Sequence, residues 1–190
     1  MEEDALAEVF ERAIGQMGGV DTVIMSAGIS GVTPIRTTSG DDFKRICDAN
    51  LLPAFIACKL GSRSICAATG GAITLISSMY GLVGQKERAA YCAAKSGVIG
   101  LVRAASLDLA ADGIRVNAIC PGFIETELSL RTAAQEPEPE SALAARRLMH
   151  PIPRAGRPEE IGALAAYLSS DAAAWITGQA FPVDGGYTAR

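Results

Sequence analysis

The stretch AITLISSMYGLVGQKERAAYCAAKSGVIGLVRAASLDLAADGIRVNAICPG, residues 72–122, decides the fold. It opens on a short apolar run, AITLISS (72–78), which reads as a strand buried on both faces. An alanine-rich, helix-favouring segment over 89–111 follows and is stopped by Gly113. A second buried run, IRVNAICPG (114–122), ends in a turn. Two buried strands joined by a long helix make a parallel crossover unit.

The segments on either side extend the alternation. Leu6, Val9, Phe10, Ala13 and Ile14 recur at helical spacing, and Gly18-Gly19 ends that helix. DTVIMSAG (21–28) reads as another buried strand entering a tight loop. Ser39 caps the next helix, with Asp42 in the capping-box position. Pro53 places a kink there, and its missing N–H frees a carbonyl either for water or simply for packing. After the connector EPEPE (136–140) comes the amphipathic segment SALAARRLM (141–149). Pro158 opens the helix PEEIGALAAYLSS (158–170), and QAFPVDGG (179–186) is the last strand. The expected fold over 1–190 is a single α/β domain, a Rossmann-like parallel sheet with flanking helices.

Composition sets limits. With 190 residues, 49% hydrophobic and 20% charged, the chain is long enough for one soluble core. A net charge of -4 gives no reason to expect nucleic acid as a partner. No run of ~18 apolar residues exists, so no membrane span is expected. The start, MEEDALAEVFERAIGQ, lacks the basic and apolar regions of a secretory leader, which reads as cytoplasmic. Cys47, Cys58, Cys66, Cys92 and Cys120 have no C-x-x-C spacing and read as buried free thiols rather than a disulfide or metal site. His150 is the only histidine, and no G-x-S-x-G elbow accompanies it, which weakens a hydrolase triad. No metal site is expected.

Three strands end in the loops MSAG, ISSMYG and CPGFIET, and ligands in open α/β sheets bind outside such strand ends. Tyr91 and Lys95, four apart on a helix, project from one face beside those loops. A nearby cation lowers the pKa of a phenol, so Lys95 is expected to prepare Tyr91 for proton transfer. Ser78 can hydrogen-bond the same substrate oxygen. By itself the tyrosine–lysine pair reads as a solvated helix face; with Ser78 and Pro121-Gly122 it reads as a site.

With those motifs in place, the chain resembles a short-chain dehydrogenase/reductase, close to the 3-oxoacyl-(acyl-carrier-protein) reductases. MSAG stands for the family's N-N-A-G, and DANLLPAF carries its helical asparagine. YCAAK, RVNAICPGFIET, PRAGRPEEI and ITGQAFPVDGG are further family phrases. The resemblance implies Tyr91 as catalytic acid/base, Lys95 bonding the nicotinamide ribose, Ser78 orienting substrate and Asn50 holding a water of the proton relay. It implies NADP or NAD as cofactor, lined by Ser26, Ala27 and Gly28 together with Pro121, Gly122, Ile124 and Thr126. Ser26 departs from the family's asparagine. A small carbonyl or alcohol substrate, a lid over 127–149 and a homo-oligomer, dimer or tetramer, are implied as well.

The family also carries three earlier strands and a glycine-rich phosphate loop, roughly 60 residues or two βαβ units of ~30 each. They are absent from these 190 residues, so DTVIMSAG is expected at an open sheet edge. Three readings stand open: an incompletely given oxidoreductase, an enzyme of cofactor-independent proton chemistry (elimination, isomerisation or cyclisation), and a non-catalytic subunit.

Overall fold

Four parallel strands form the sheet in the order β1-β2-β3-β4: β1 Thr22–Met25, β2 Gly71–Ile76, β3 Ile114–Pro121 and β4 Ala180–Val183. The computed structural model describes residues 3–65, 69–134 and 136–189, so Cys66 lies outside the described residues. β2 and β3 pair from Gly71↔Ile114 to Ile76↔Ile119, joined by α4 (Ala89–Asp108), which is the crossover expected from the sequence. Among the described residues β1 pairs only with β2, and Ile24 on this edge is half exposed.

The sheet has an apolar cover on both faces because its central strands carry apolar residues at successive positions. Ile73, Leu75, Val116 and Ala118 share a core with Ala54, Ala57, Val98 and Val102 of α3 (Leu52–Ser64) and α4. On the other face Ile119 meets Ala165 and Leu168 of α7 (Pro158–Ser169). Asn117 is buried within β3, yet both ends of its amide are bonded: Nδ2 donates to the Ile176 carbonyl and Oδ1 accepts from Gln179 N–H. That clamp brings β4 to the sheet.

Helix boundaries follow local chemistry. α1 (Glu3–Met17) stops at Gly18, whose φ is 78°. The Ser39 hydroxyl accepts from Asp42 N–H at 3.0 Å and donates to its carboxylate at 2.9 Å, at the start of α2 (Gly40–Asn50). α2 gives way to α3 at Leu51, with Pro53 in the first turn of α3, and the Phe55 N–H still reaches the Leu51 carbonyl. α4 ends at Asp108, three residues before the expected 111, because a 3-10 turn over Ala110–Asp112 takes over ahead of left-handed Gly113. The segment 127–149 folds into α5 (Glu127–Ala133) and α6 (Pro139–Leu148). Cys47, Cys58, Cys92 and Cys120 are free thiols, Cys58 and Cys120 buried and the other two half-buried. Among the described residues no helix is long and apolar enough to cross a membrane.

Candidate active site

The C-terminal ends of β1, β2 and β3 open onto one cleft of about 470 Å³. Ser26 and Gly28 line it from the first loop, Ser78 from the second, and Pro121, Gly122, Ile124 and Thr126 from the third. Asn50 reaches it from α2, and Tyr91 and Lys95 from α4. Every site residue expected from the sequence is therefore gathered there except Ala27, which sits exposed in the same loop without lining the cleft.

α4 enters the site with its N-terminus bonded by a residue remote in sequence. The Thr33 carbonyl accepts from Ala89 N–H, and the Thr33 hydroxyl accepts from Ala90 N–H. One turn apart, Tyr91 and Lys95 then share a face, with the Lys95 Nζ 5.7 Å from the centre of the Tyr91 ring. Lys95 is 4% exposed, and its ammonium donates to the Ile76 carbonyl at 2.9 Å. Burial lowers its pKa to about 8.

Here one expectation is corrected. The Tyr91 phenol has its pKa raised by burial, against the lowering effects of the Ser78 hydroxyl and the Arg88 charge. Lys95 does not bring it down. Its ammonium is bonded to a strand carbonyl and lies against the ring, so loss of hydration governs the hydroxyl.

The depressed lysine pKa has a consequence for stability. Between pH 8 and 10.5 Lys95 holds its proton in the unfolded chain but sheds it in the folded one. The unfolded state then binds more protons, so this group's contribution to stability rises with pH through that window. The wild type is expected to gain about 1 kcal/mol on Lys95→Met between pH 8 and pH 9, read from urea unfolding. Parallel stability curves for the two proteins would contradict it.

Asn50 is 2% exposed and donates through Nδ2 to the Ile46 and Ile29 carbonyls. Its Oδ1 is buried without a protein hydrogen bond, a condition that costs ~1–3 kcal/mol when nothing engages the atom. A Cβ at Gly28 would stand 2.5 Å from that oxygen and 3.5 Å from the Lys95 ammonium. Only glycine lets the first loop come this close, and the unbonded Asn50 Oδ1 and the buried Lys95 ammonium are the acceptor and donor there that a water and a cofactor ribose would engage.

A second cavity of about 390 Å³ opens on Ser78 and Tyr91 and runs beneath α6. Met79, Phe123 and Met149 supply apolar wall. His150 closes one end and was not marked as functional by its sequence context. Its Nε2 accepts from Phe123 N–H at 3.3 Å, and its Nδ1 faces the Asp184 carbonyl at 2.6 Å. Through it the end of α6 is tied to the turn carrying Gly122. No short-range signal announces such a bridge, since both partners lie far along the chain.

The profile of a family described as Enoyl-(Acyl carrier protein) reductase matches residues 1–188. The chain is 38% identical over 189 residues to a cis-4-hydroxycyclohexanecarboxylate dehydrogenase of Sinomonas cyclohexanicum, covering 99% of this chain and 74% of that one. To a cyclohexanol dehydrogenase of an Acinetobacter species it is 39% identical, covering 99% of this chain and 71% of the relative. The ligand-free aldohexose dehydrogenase of Thermoplasma acidophilum superposes with a TM-score of 0.92 at 30% identity, over 100% of this chain and 76% of that structure.

Proposed function

The chain belongs to the short-chain dehydrogenase/reductase family, and on that premise we propose that it moves a hydride between NAD or NADP and a small secondary alcohol or carbonyl compound, with Tyr91 as acid/base. One observation carries the reading: Ser78, Tyr91 and Lys95 converge in one cleft beside the buried, unbonded Asn50 Oδ1.

When bound, the nicotinamide supplies or accepts the hydride. Lys95 and Tyr91 hold its ribose, Pro121, Gly122, Ile124 and Thr126 border its amide end, and Ser26, Ala27 and Gly28 flank it. The Ser78 hydroxyl, 7% exposed, holds the substrate oxygen. Tyr91 gives a proton to that oxygen in reduction and takes it back in oxidation. Asn50 Oδ1 accepts from a water that refills the proton. The segment 127–149 serves as a lid over the second cavity, and the chain works as a homodimer or homotetramer. Both relatives act, by name, on ring-borne secondary alcohols or their acids, and we take that substrate shape for this chain.

Thermal unfolding with NADH and NADPH, followed by a hydride-transfer assay on cyclic secondary alcohols, tests the reading. A nucleotide at a hundredfold excess over its dissociation constant adds ~2.7 kcal/mol of stability. The expected results are an upward shift of the midpoint and turnover. A cooperative transition with no shift, together with turnover in nucleotide-free protein, would replace the reading with proton chemistry.

A further inference from the structure

We propose that the second cavity takes a hydroxy or oxo acid, with its carboxylate held by Arg88, Arg146 lending a second positive charge, and its reacting oxygen at Ser78 and Tyr91. The proposal rests on the hydride-transfer reading and names the substrate class for it. Arg88 and Arg146 both line the cavity, and no aspartate or glutamate does. Arg88 makes no ion pair among the described residues. Among the described residues its one side-chain hydrogen bond runs from Nη1 to the hydroxyl of Ser30, itself a cavity residue, at 3.1 Å. A guanidinium presents five donors in a planar fork matched to a carboxylate, so most of this one is uncommitted.

Helix stability gives no reason for a cation at this place. Arg88 stands at the N-terminus of α4, where the peptide dipoles disfavour positive charge, and Thr33 already takes the first N–H groups. Arg146 is committed to Glu136 through a single 3.2 Å contact, while the adjacent Arg147 pairs with Glu125 instead. The charges of both arginines act on the Tyr80 phenol, and that of Arg88 also on Tyr91, so they are felt in the same space. The cavity, about 390 Å³, lies near the small end of ligand pockets. Its apolar wall of Met79, Phe123 and Met149 suits a compact carbon skeleton between the acid and the reacting oxygen.

The test is calorimetric binding of cyclohexanecarboxylate and of cyclohexanol to the full chain, in wild type, Arg88→Gln, Arg88→Lys and Arg146→Gln. The acid is expected to bind at least tenfold more tightly than the alcohol. That ratio should collapse in Arg88→Gln, recover in part in Arg88→Lys, and shrink less in Arg146→Gln. Equal affinity for the two ligands, undetectable acid binding, or a ratio that survives Arg88→Gln in a protein with an unchanged melting midpoint would each overturn the proposal. Turnover is measured separately to keep the two readings apart. Hydride transfer on cyclohexanol at a kcat/KM matching 4-hydroxycyclohexanecarboxylate would remove the acid pocket and keep the oxidoreductase. Acid-selective binding without hydride transfer on either would do the reverse.

Discussion

Tyr91→Phe is expected to lower kcat/KM for hydride transfer by about a thousandfold while leaving the chain folded. The substitution removes one oxygen and keeps the ring that packs against Lys95. The Ser78 hydroxyl that meets the phenol still accepts from the Tyr80 N–H at 3.2 Å after the change, so the melting midpoint should move little. The wild-type pH profile adds a second readout. Burial holds the phenol protonated above its ordinary range, which makes Tyr91 an acid at neutral pH. Alcohol oxidation, which needs the phenolate, should therefore rise with pH past neutrality, and this limb should vanish from the residual activity of the variant. A variant retaining a tenth or more of wild-type kcat/KM, with its pH limb intact, would show that another group moves the proton.

What the sequence made legible was whatever lies within one element or follows a strand end. The unit 72–122 shows its strand, helix and strand through composition alone, Pro158 marks the first residue of α7, and Ser39 marks the cap of α2. The site residues gather because parallel strands all finish on one edge, so naming the loops located the cleft. What stayed hidden depends on contacts between distant segments. Thr33 bonds the start of α4 from 57 positions away, and His150 reaches Phe123 and Asp184. The seven-residue α5 is too short to show a periodicity. The direction of the Tyr91 shift could not be read from a four-residue spacing. It follows from where the ammonium of Lys95 points and from how much water the fold removes.

Gly81 follows from the same point, because here one missing methyl group sets the distance between two catalytic elements. The 3-10 turn Met79–Gly81 carries the chain away from Ser78 and lays it on the backbone of α4. A Cβ at Gly81 would meet the Lys95 carbonyl oxygen at 2.8 Å, its carbon at 2.9 Å and the Ser77 hydroxyl at 2.7 Å. Two hydrogen bonds hold the elements together there: Ser77 donates to the Lys95 carbonyl at 2.8 Å, and Ser96 donates to the Gly81 carbonyl at 3.0 Å. Since backbone cannot swing aside as a side chain can, Gly81→Ala must push the turn off the helix and strain both bonds. Overpacking of this kind costs ~1–3 kcal/mol, or a midpoint lower by roughly 4–8 °C for a loss of ~2 kcal/mol in a chain of this size. The displacement also separates Ser78 from Tyr91, and a shift of ~1 Å costs ~100-fold in rate. Gly84→Ala, in the same loop with open space around its added carbon, supplies the control and should change neither quantity. Gly81→Ala protein that melts early yet turns over at the wild-type rate would separate the two effects. The Ser78–Tyr91 geometry would then be set by β2 and α4 alone, with the turn contributing only stability.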